Sequence, residues 1–192
     1  MKNMKKTLCL LLAVLMTVSL LAGCGKKDDD NADSKKVFTV GIDAEYPPFS
    51  YLGDDGSYTG FDIEIAQAAC DQLGWEMKVF PVNWDQKLTQ LDAKECDCIW
   101  SGMTILDSMK EAGYTLSAPY YDNTQVIMVK EGSDIKSSAD LSGKVVAVQL
   151  GTSGDALLSE DGDLASLSAT FKSLVRSDSF LKCFTELSGG AV

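Results

Sequence analysis

Apolar residues follow two kinds of spacing along residues 37–192. Short apolar or alternating runs predict strands, and the segments between them carry apolar residues three or four positions apart, which is helical spacing. The predicted strands cover 37–42, 75–79, 96–100, 126–129 and 145–149. The predicted helices cover 62–73, 84–91, 138–141 and 177–187, and another follows the glycines at 151–154. This order predicts an α/β fold with a parallel sheet in each part of the chain.

Residues that favour helix ends and turns mark several boundaries. Gly74 stands where the C-terminal cap of a helix belongs, and Asn83 with Gln86 has the spacing of a capping box. The Asp-Asp-Gly run at 54–56 is a turn signal. The two prolines at 47–48 must leave the first strand, because proline cannot donate a hydrogen bond to a neighbouring strand.

The beginning of the chain has the pattern of an export signal. Three lysines and no acid precede a mostly apolar run at 8–22, which is too short to make a comfortable membrane span. The Leu-Ala-Gly-Cys sequence at 21–24 resembles the bacterial lipobox, in which the peptide is cut before the cysteine and the cysteine is lipidated. The alternative is an ordinary signal peptide with an incidental cysteine. We expect 1–23 to be a lipoprotein signal peptide, and 24–36 to be the lipidated Cys24 with a flexible polar tether.

Acidic residues outnumber basic residues beyond this signal. The 17 basic residues of the chain include three lysines within 1–23, so the mature chain would carry 14 basic and 28 acidic residues, a formal charge of −14. This balance argues against nucleic acid as a partner, because binding to phosphates needs clustered lysine and arginine.

The sequence favours no metal site and no cofactor. The chain has no histidine, and four cysteines follow Cys24: Cys70, Cys96, Cys98 and Cys183. A zinc site of the usual Cys/His kind would need all four to converge, which their spacing gives no reason to expect. We expect them to be buried free thiols.

Four motifs together resemble one protein family. They are Gly-Ile-Asp-Ala-Glu-Tyr-Pro-Pro-Phe at 41–49, Gly-Phe-Asp-Ile-Glu-Ile-Ala at 60–66, Ser-Gly-Met-Thr at 101–104 and Gly-Thr-Ser at 151–153. In this order and approximate spacing they are similar to the polar amino-acid-binding proteins of ABC importers, solute-binding family 3. The resemblance covers 37–192 and implies a two-lobed, periplasmic-binding-protein-like α/β fold (type II) with the ligand in the cleft between the lobes.

The resemblance also implies how the chain is divided. Lobe 1 would be 37–125, the first crossover strand 126–130, and 131–192 a part of lobe 2. The sequence ends after a glycine pair and a short apolar run, where an α/β sheet would take its next strand. We therefore expect the second lobe and the return crossover to be incomplete.

The 151–154 stretch has the features of an anion site. It lies between a predicted strand and a predicted helix, where free backbone N–H groups and the positive end of the helix dipole favour a carboxylate. The hydroxyls of Thr152 and Ser153 add donors. Local sequence alone fits a simple helix N-cap equally well. The family resemblance favours the binding site.

Ser101, Gly102 and Thr104 follow the end of a predicted strand, which is where open α/β sheets bind ligands. The resemblance implies that the backbone of Gly102 and the two hydroxyls hold the ammonium and carboxylate groups of the ligand. Spacing alone favours a solvated turn over a binding site.

Two aromatic and two acidic residues complete the predicted site. Tyr46 and Phe61 match the aromatics that flank the ligand side chain in the family, although either could belong to the core. Asp43 and Glu45 stand at alternating positions, so only one should face the cleft. In the family the Asp43 position can pair with a cationic ligand side chain, which weakly favours a basic amino acid. A solvated acidic loop is the alternative.

One departure from the family affects the ligand carboxylate. After Ser-Gly-Met-Thr the family usually has an arginine that clamps this group, but here 105–111 contains none. The only arginine, Arg176, is in no matching motif. Lys110 could substitute as a point charge, without the two-pronged geometry of arginine.

The resemblance implies a binding protein and not an enzyme. It would be anchored outside the cytoplasm by its lipid, act as a monomer, and deliver a polar amino acid to the permease of an ABC importer. Related lobes also occur in cyclohexadienyl dehydratases and lytic transglycosylases, so an enzyme is one alternative and a ligand-sensing domain another. Against an enzyme, we find no histidine and no nucleophile with an adjacent base.

Overall fold

The first parallel sheet has three strands. The computed structural model describes residues 35–192. In it the sheet has the order β5-β1-β6, with β1 at Val37–Ile42, β5 at Glu76–Pro81 and β6 at Cys98–Ile99. Strand β1 matches its predicted bounds. The predicted strand 96–100 contracts to the two residues that pair with β1.

Helix α1 (Phe61–Leu73) covers this sheet. Its Ile63 and Ala66 are buried in one cluster with Val40 and Ile42 of β1. The helix ends as predicted, because Gly74 adopts the left-handed conformation (φ 70°) and its N–H caps the last turn. The central strand and the helix thus fix the place where β1 ends and the loop at Asp43 begins.

Three short antiparallel strands follow β1 and were not predicted. They are β2 (Glu45–Tyr46), β3 (Ser50–Leu52) and β4 (Tyr58–Thr59), in the order β2-β3-β4. Two or three residues are too few to show an alternating pattern. The prolines at 47–48 lie in the turn between β2 and β3, outside any strand as predicted.

The predicted helix 84–91 forms in two pieces. A 3₁₀ turn (Trp84–Gln86) precedes α2 (Lys87–Asp92). The side chain of Asn83 caps the turn by accepting from the Asp85 N–H, so the cap is present without the Gln86 half of a capping box. A short helix α3 (Asp107–Glu111) follows β6.

The second parallel sheet pairs β7 (Val145–Gln149) with β8 (Ser173–Ser177). A 3₁₀ turn (Ser138–Leu141) precedes β7, and both have their predicted bounds. The remaining elements of this part are the helices α4 (Ser153–Leu158), α5 (Ala165–Ser168) and α6 (Phe180–Gly189).

The predicted helix 177–187 is wrong at its start. Ser177 is the last residue of β8, and Ser179 is the N-cap of α6, where its hydroxyl accepts from the Lys182 N–H. Strand β8 was missed because Arg176 and two serines interrupt its apolar pattern.

The predicted fourth strand at 126–129 and the predicted crossover strand at 126–130 are wrong, because the structure has no strand at these residues. The segment is rich in β-branched residues, but none of the described strands pairs with it, and Val126 is 75% exposed. A strand exists only when a neighbour completes its hydrogen bonds. The lobe limits 37–125 and 131–192 stay predictions.

The thiols of the described residues are free. Cys70, Cys96 and Cys183 are buried and Cys98 is half-buried. Burial raises the pKa of Cys98 to about 12, so this thiol stays protonated and unreactive at neutral pH. Residues 35–192 hold no group of three or more Cys, Asp or Glu side chains suited to a metal ion.

The predicted signal peptide, Cys24 and most of the tether lie outside the described residues. In the part that the structure describes, no helix combines the length and the apolar character needed to cross a membrane.

Candidate functional site

The loops after β1, β6 and β7 meet at one cavity. These three strands belong to two different parallel sheets, and the loops at their carboxyl ends face each other. Seven of the predicted site residues line the cavity: Asp43, Tyr46, Ser101, Gly102, Thr104, Thr152 and Ser153. Lys87 and Met109, which were not predicted as site residues, line it as well.

Asp43 places a buried carboxylate in the cavity wall. The side-chain amide of Gln149 donates to Asp43 Oδ2 over 2.7 Å, and the Glu45 N–H donates to Oδ1 over 2.9 Å. Glu45 itself is exposed. Of the two acids, only Asp43 lines the cavity. Its bond to Gln149 connects the first sheet to the second through a charge-assisted hydrogen bond.

The Ser101 hydroxyl is held inside the protein. It accepts from the Asp43 N–H over 3.0 Å and lies in hydrogen-bonding contact with the Ser50 hydroxyl. Because Ser50 donates its own hydrogen to the Asp43 carbonyl, Ser101 must donate to Ser50. Its one hydrogen is therefore used to fix the loop, and a ligand could reach only a lone pair of the Ser101 oxygen.

Gly102 lets an aromatic ring close one side of the cavity. Gly102 has a φ of 58°, and a Cβ atom added to it would lie 2.8 Å from Cε1 of Tyr46. The Tyr46 ring also packs on Phe49 and Phe180, with ring centroids 5.1 and 5.2 Å apart. Burial raises the pKa of Tyr46, so its phenol remains a neutral donor.

Hydroxyl groups from both parts of the chain meet across the cavity. Thr104 Oγ1 lies 3.0 Å from Ser153 Oγ, and the side-chain amide of Asn123 donates to Thr104 Oγ1 over 2.6 Å. The hydrogen bond from Asn123 occupies one lone pair of the Thr104 oxygen. Thr104 and Ser153 carry one hydroxyl hydrogen each, and the hydrogen bond between them uses only one of the two. One hydroxyl hydrogen of this pair is thus available to an acceptor.

Thr152 is the N-cap of α4, the alternative that local sequence allowed. Its hydroxyl donates to the Gln149 carbonyl over 2.7 Å and accepts from the Asp155 N–H over 3.2 Å. Asp155 accepts from Arg176 Nε over 2.6 Å and from the Gly151 N–H over 3.2 Å. The only arginine of the sequence therefore stabilises the loop that carries Gly151.

Phe61 and Lys110 do not line the cavity. Phe61 is 40% exposed and belongs to an aromatic cluster with Phe49, Tyr120 and Tyr121. Lys110 is exposed on α3 and forms a 2.8 Å ion pair with Asp107 one turn earlier. The structure thus brings neither residue together with the others.

Lys87 is the charged residue of the cavity wall that the sequence did not mark as a site residue. It is 6% exposed, and its ammonium group donates to the Gly151 carbonyl over 2.7 Å and to the Trp84 carbonyl over 3.0 Å. The same group lies 4.7 Å from the centroid of the Trp84 ring. Burial lowers the pKa of Lys87, and the charges of Asp85 and Asp43 oppose this to a lesser extent.

The chain matches one family model and several curated proteins. The model, described as bacterial extracellular solute-binding proteins, family 3, matches residues 38–186. The L-cystine-binding protein TcyJ of Escherichia coli (strain K12) is 39% identical over 146 residues, covering 72% of this chain and 54% of that protein. The arginine-binding extracellular protein ArtP of Bacillus subtilis (strain 168) is 38% identical over 149 residues, covering 78% of this chain and 57% of that protein.

A solved structure matches over a similar range. An ancestral arginine-binding protein bound to arginine is 33% identical, with a TM-score of 0.74, covering 82% of this chain and 68% of that one. The match confirms the predicted two-lobed α/β fold class. The chain spans about half the length of the curated relatives it matches. It belongs to the bacterial extracellular solute-binding proteins, family 3.

Proposed function

We propose that the protein binds a polar amino acid in the cavity between its two sheets and delivers it to an ABC importer. The observation that carries this proposal is the convergence of three strand ends on one cavity that holds the buried carboxylate of Asp43. A zwitterionic ligand needs a carboxylate for its ammonium group and donors for its own carboxylate. The Asp43 oxygens and the hydroxyls of Thr104 and Ser153 supply groups of both kinds.

The ligand we propose is a polar amino acid with an additional preference for positive charge. Asp43 is buried, so a cationic group beside it would interact more strongly than at the surface. The names of both relatives, an L-cystine-binding and an arginine-binding protein, support an amino acid ligand, and the second name supports the preference for positive charge.

We propose binding without catalysis. The cavity wall carries four serine and threonine hydroxyls that could act as nucleophiles. Ser101 and Thr152 donate their hydrogens to a hydroxyl and to a backbone carbonyl, and Thr104 and Ser153 contact each other. None of the four has a hydrogen bond to a carboxylate or an amine side chain that could remove its proton, so none is activated. Retention of an amino acid unchanged after incubation with the protein would support this part of the proposal.

We also propose that the protein acts outside the cytoplasm, as a monomer anchored through lipid on Cys24. The support is the basic, apolar and Leu-Ala-Gly-Cys sequence of the first 24 residues, together with membership of an extracellular family. A permease that receives the ligand is the partner that this role requires.

A thermal-shift screen tests the proposed function. The full-length protein is heated with each proteinogenic L-amino acid and with L-cystine, because a ligand that binds only the folded state raises the melting temperature. At a ligand concentration of about 100 times Kd, the gain is about 2.7 kcal/mol. We expect at least one polar amino acid to raise the melting temperature, and no response to any of them would contradict the proposal.

A further inference from the structure

Lys87 is a buried cation without an anion. Its side chain is 6% exposed, and its two hydrogen-bond partners are neutral backbone carbonyls, those of Gly151 and Trp84. The ion pairs formed within residues 35–192 join other residues, so no described carboxylate lies within 4.0 Å of the Lys87 ammonium group. A buried charge without a counter-charge is unfavourable, and an anion placed beside it would remove that cost.

The ammonium group retains a donor for such an anion. A lysine ammonium has three N–H groups, and the two carbonyls use two of them. Lys87 lines the cavity, and the Thr104–Ser153 hydroxyl pair lies in the same wall. A carboxylate in the cavity could therefore accept from Lys87 with one oxygen and from a hydroxyl with the other.

The other cations considered for this role are occupied elsewhere. Lys110 is exposed and paired with Asp107, Arg176 is paired with Asp155, and neither Lys110 nor Arg176 lines the cavity. The segment 105–111 contributes a buried Met109 to the cavity wall in place of a charge. Among the lining residues, only Lys87 is cationic.

We infer that Lys87 binds the carboxylate group of the ligand, in an inference that rests on the proposed amino-acid binding. Asp43 lines the same cavity and is close enough for its charge to raise the pKa of Lys87. The cavity thus presents one buried acid and one buried base, the complement of a zwitterion. If Lys87 only joined α2 to the Gly151 loop, a neutral hydrogen-bond donor would be enough, and a positive charge would not be needed.

The test compares an amino acid with its carboxamide, which lacks the negative charge. The full-length protein is titrated by calorimetry with L-arginine, L-cystine and the other proteinogenic amino acids, and then with the carboxamide of the tightest binder. The parent protein should bind the acid at least about tenfold more tightly, which corresponds to about 1.4 kcal/mol. Equal affinities for acid and carboxamide would overturn the inference without the need for any variant.

Substitutions identify the residue whose positive charge binds the ligand carboxylate. Lys87→Met keeps an unbranched apolar stem on Trp84 and removes the ammonium group, so it should lose about tenfold or more in affinity for the acid and much less for the carboxamide. Lys87→Arg should retain the preference for the acid, because it retains the charge. Lys78→Met, which removes an exposed lysine from β5, is the matched control and should change neither affinity.

Each remaining outcome identifies which claim fails. An equal loss of acid and carboxamide binding in Lys87→Met would show a structural tie and overturn the inference. A selective loss of acid binding in Lys110→Met, with Lys87→Met unchanged, would give the role to Lys110. If the parent protein binds no amino acid, the proposed function itself fails.

Discussion

The side-chain amide of Gln149, at the end of β7, donates a 2.7 Å hydrogen bond to the buried carboxylate of Asp43, at the end of β1. The two residues are 106 positions apart in the chain and belong to different sheets. Both are almost inaccessible to solvent. The bond therefore places a negative charge at the junction of the two parts, on the wall of the cavity.

The charge of Asp43 should determine the preference for cationic ligands. Asp43→Asn keeps the size of the side chain and removes its charge. It should weaken binding of every amino acid, because each carries an ammonium group, and binding of L-arginine most, by about tenfold or more, because L-arginine carries a second positive group. Calorimetry with L-arginine and a neutral amino acid measures the two losses. Glu45→Gln, a change at the neighbouring exposed acid, is the control and should leave both affinities as they are. If Asp43→Asn leaves the affinity for L-arginine intact, Asp43 does not contact the ligand.

A side chain at Gly102 should destabilise the folded protein for two reasons. Its φ of 58° disfavours other residues, and a Cβ atom would meet the Tyr46 ring at 2.8 Å. We expect Gly102→Ala to lower the free energy of unfolding by about 2 kcal/mol, measured by urea denaturation.

Gly56 supplies the control for that substitution. It has a φ of 81° and no atom within 4 Å of a Cβ added to it, so Gly56→Ala carries the backbone cost alone, about 1 kcal/mol. Equal losses in the two variants would show that the contact between Gly102 and Tyr46 is unimportant for stability.

The burial of Lys87 should appear in the pH dependence of stability. Burial lowers the pKa of Lys87 below the ordinary 10.5 in the folded protein, and the charges of Asp85 and Asp43 only partly oppose this shift. The unfolded chain therefore keeps the Lys87 proton to higher pH than the folded protein does. The free energy of unfolding should therefore rise with pH between the folded-state pKa and 10.5. Lys87→Met removes this contribution. Urea denaturation of both proteins from about pH 7 to about pH 10 should show the stability difference changing in favour of the parent. If the free energies of unfolding of the two proteins changed equally with pH, the lowered pKa of Lys87 would be contradicted.

Lipidation should depend on Cys24. When the protein is expressed in bacteria supplied with labelled palmitate, label should enter the parent and be absent from Cys24→Ser. Cys9→Ser is the control, because Cys9 lies in the part that the signal peptidase would remove. Equal labelling of parent and Cys24→Ser would refute the lipid anchor.

The sequence predicted best the elements whose signals are local. The helix Phe61–Leu73 has apolar residues at helical spacing and a glycine at its end, and both features act within a few turns. Strand β7 is a continuous apolar run and was predicted at its observed bounds. Seven of the residues that the family resemblance marked line the cavity, because their motifs follow the ends of strands.

The errors arise where distant parts of the chain decide the outcome. Lys87 has the spacing of a solvated helix position, and its burial depends on the Gly151 loop, 64 positions later. Residues 126–129 have the composition of a strand, but pairing requires a neighbour that local sequence cannot reveal. Lys110 was proposed for its position after a motif, whereas its ion pair with Asp107 keeps it at the surface.

A crystal structure of the full-length protein with the amino acid that most raises its melting temperature tests the central claim most directly. We predict that the ligand lies in the cavity at the ends of β1, β6 and β7. A carboxylate oxygen should lie within about 3.2 Å of the Lys87 ammonium nitrogen, and a positive group of the ligand within about 4 Å of the Asp43 carboxylate. A ligand bound outside this cavity, or in contact with neither residue, would contradict the account.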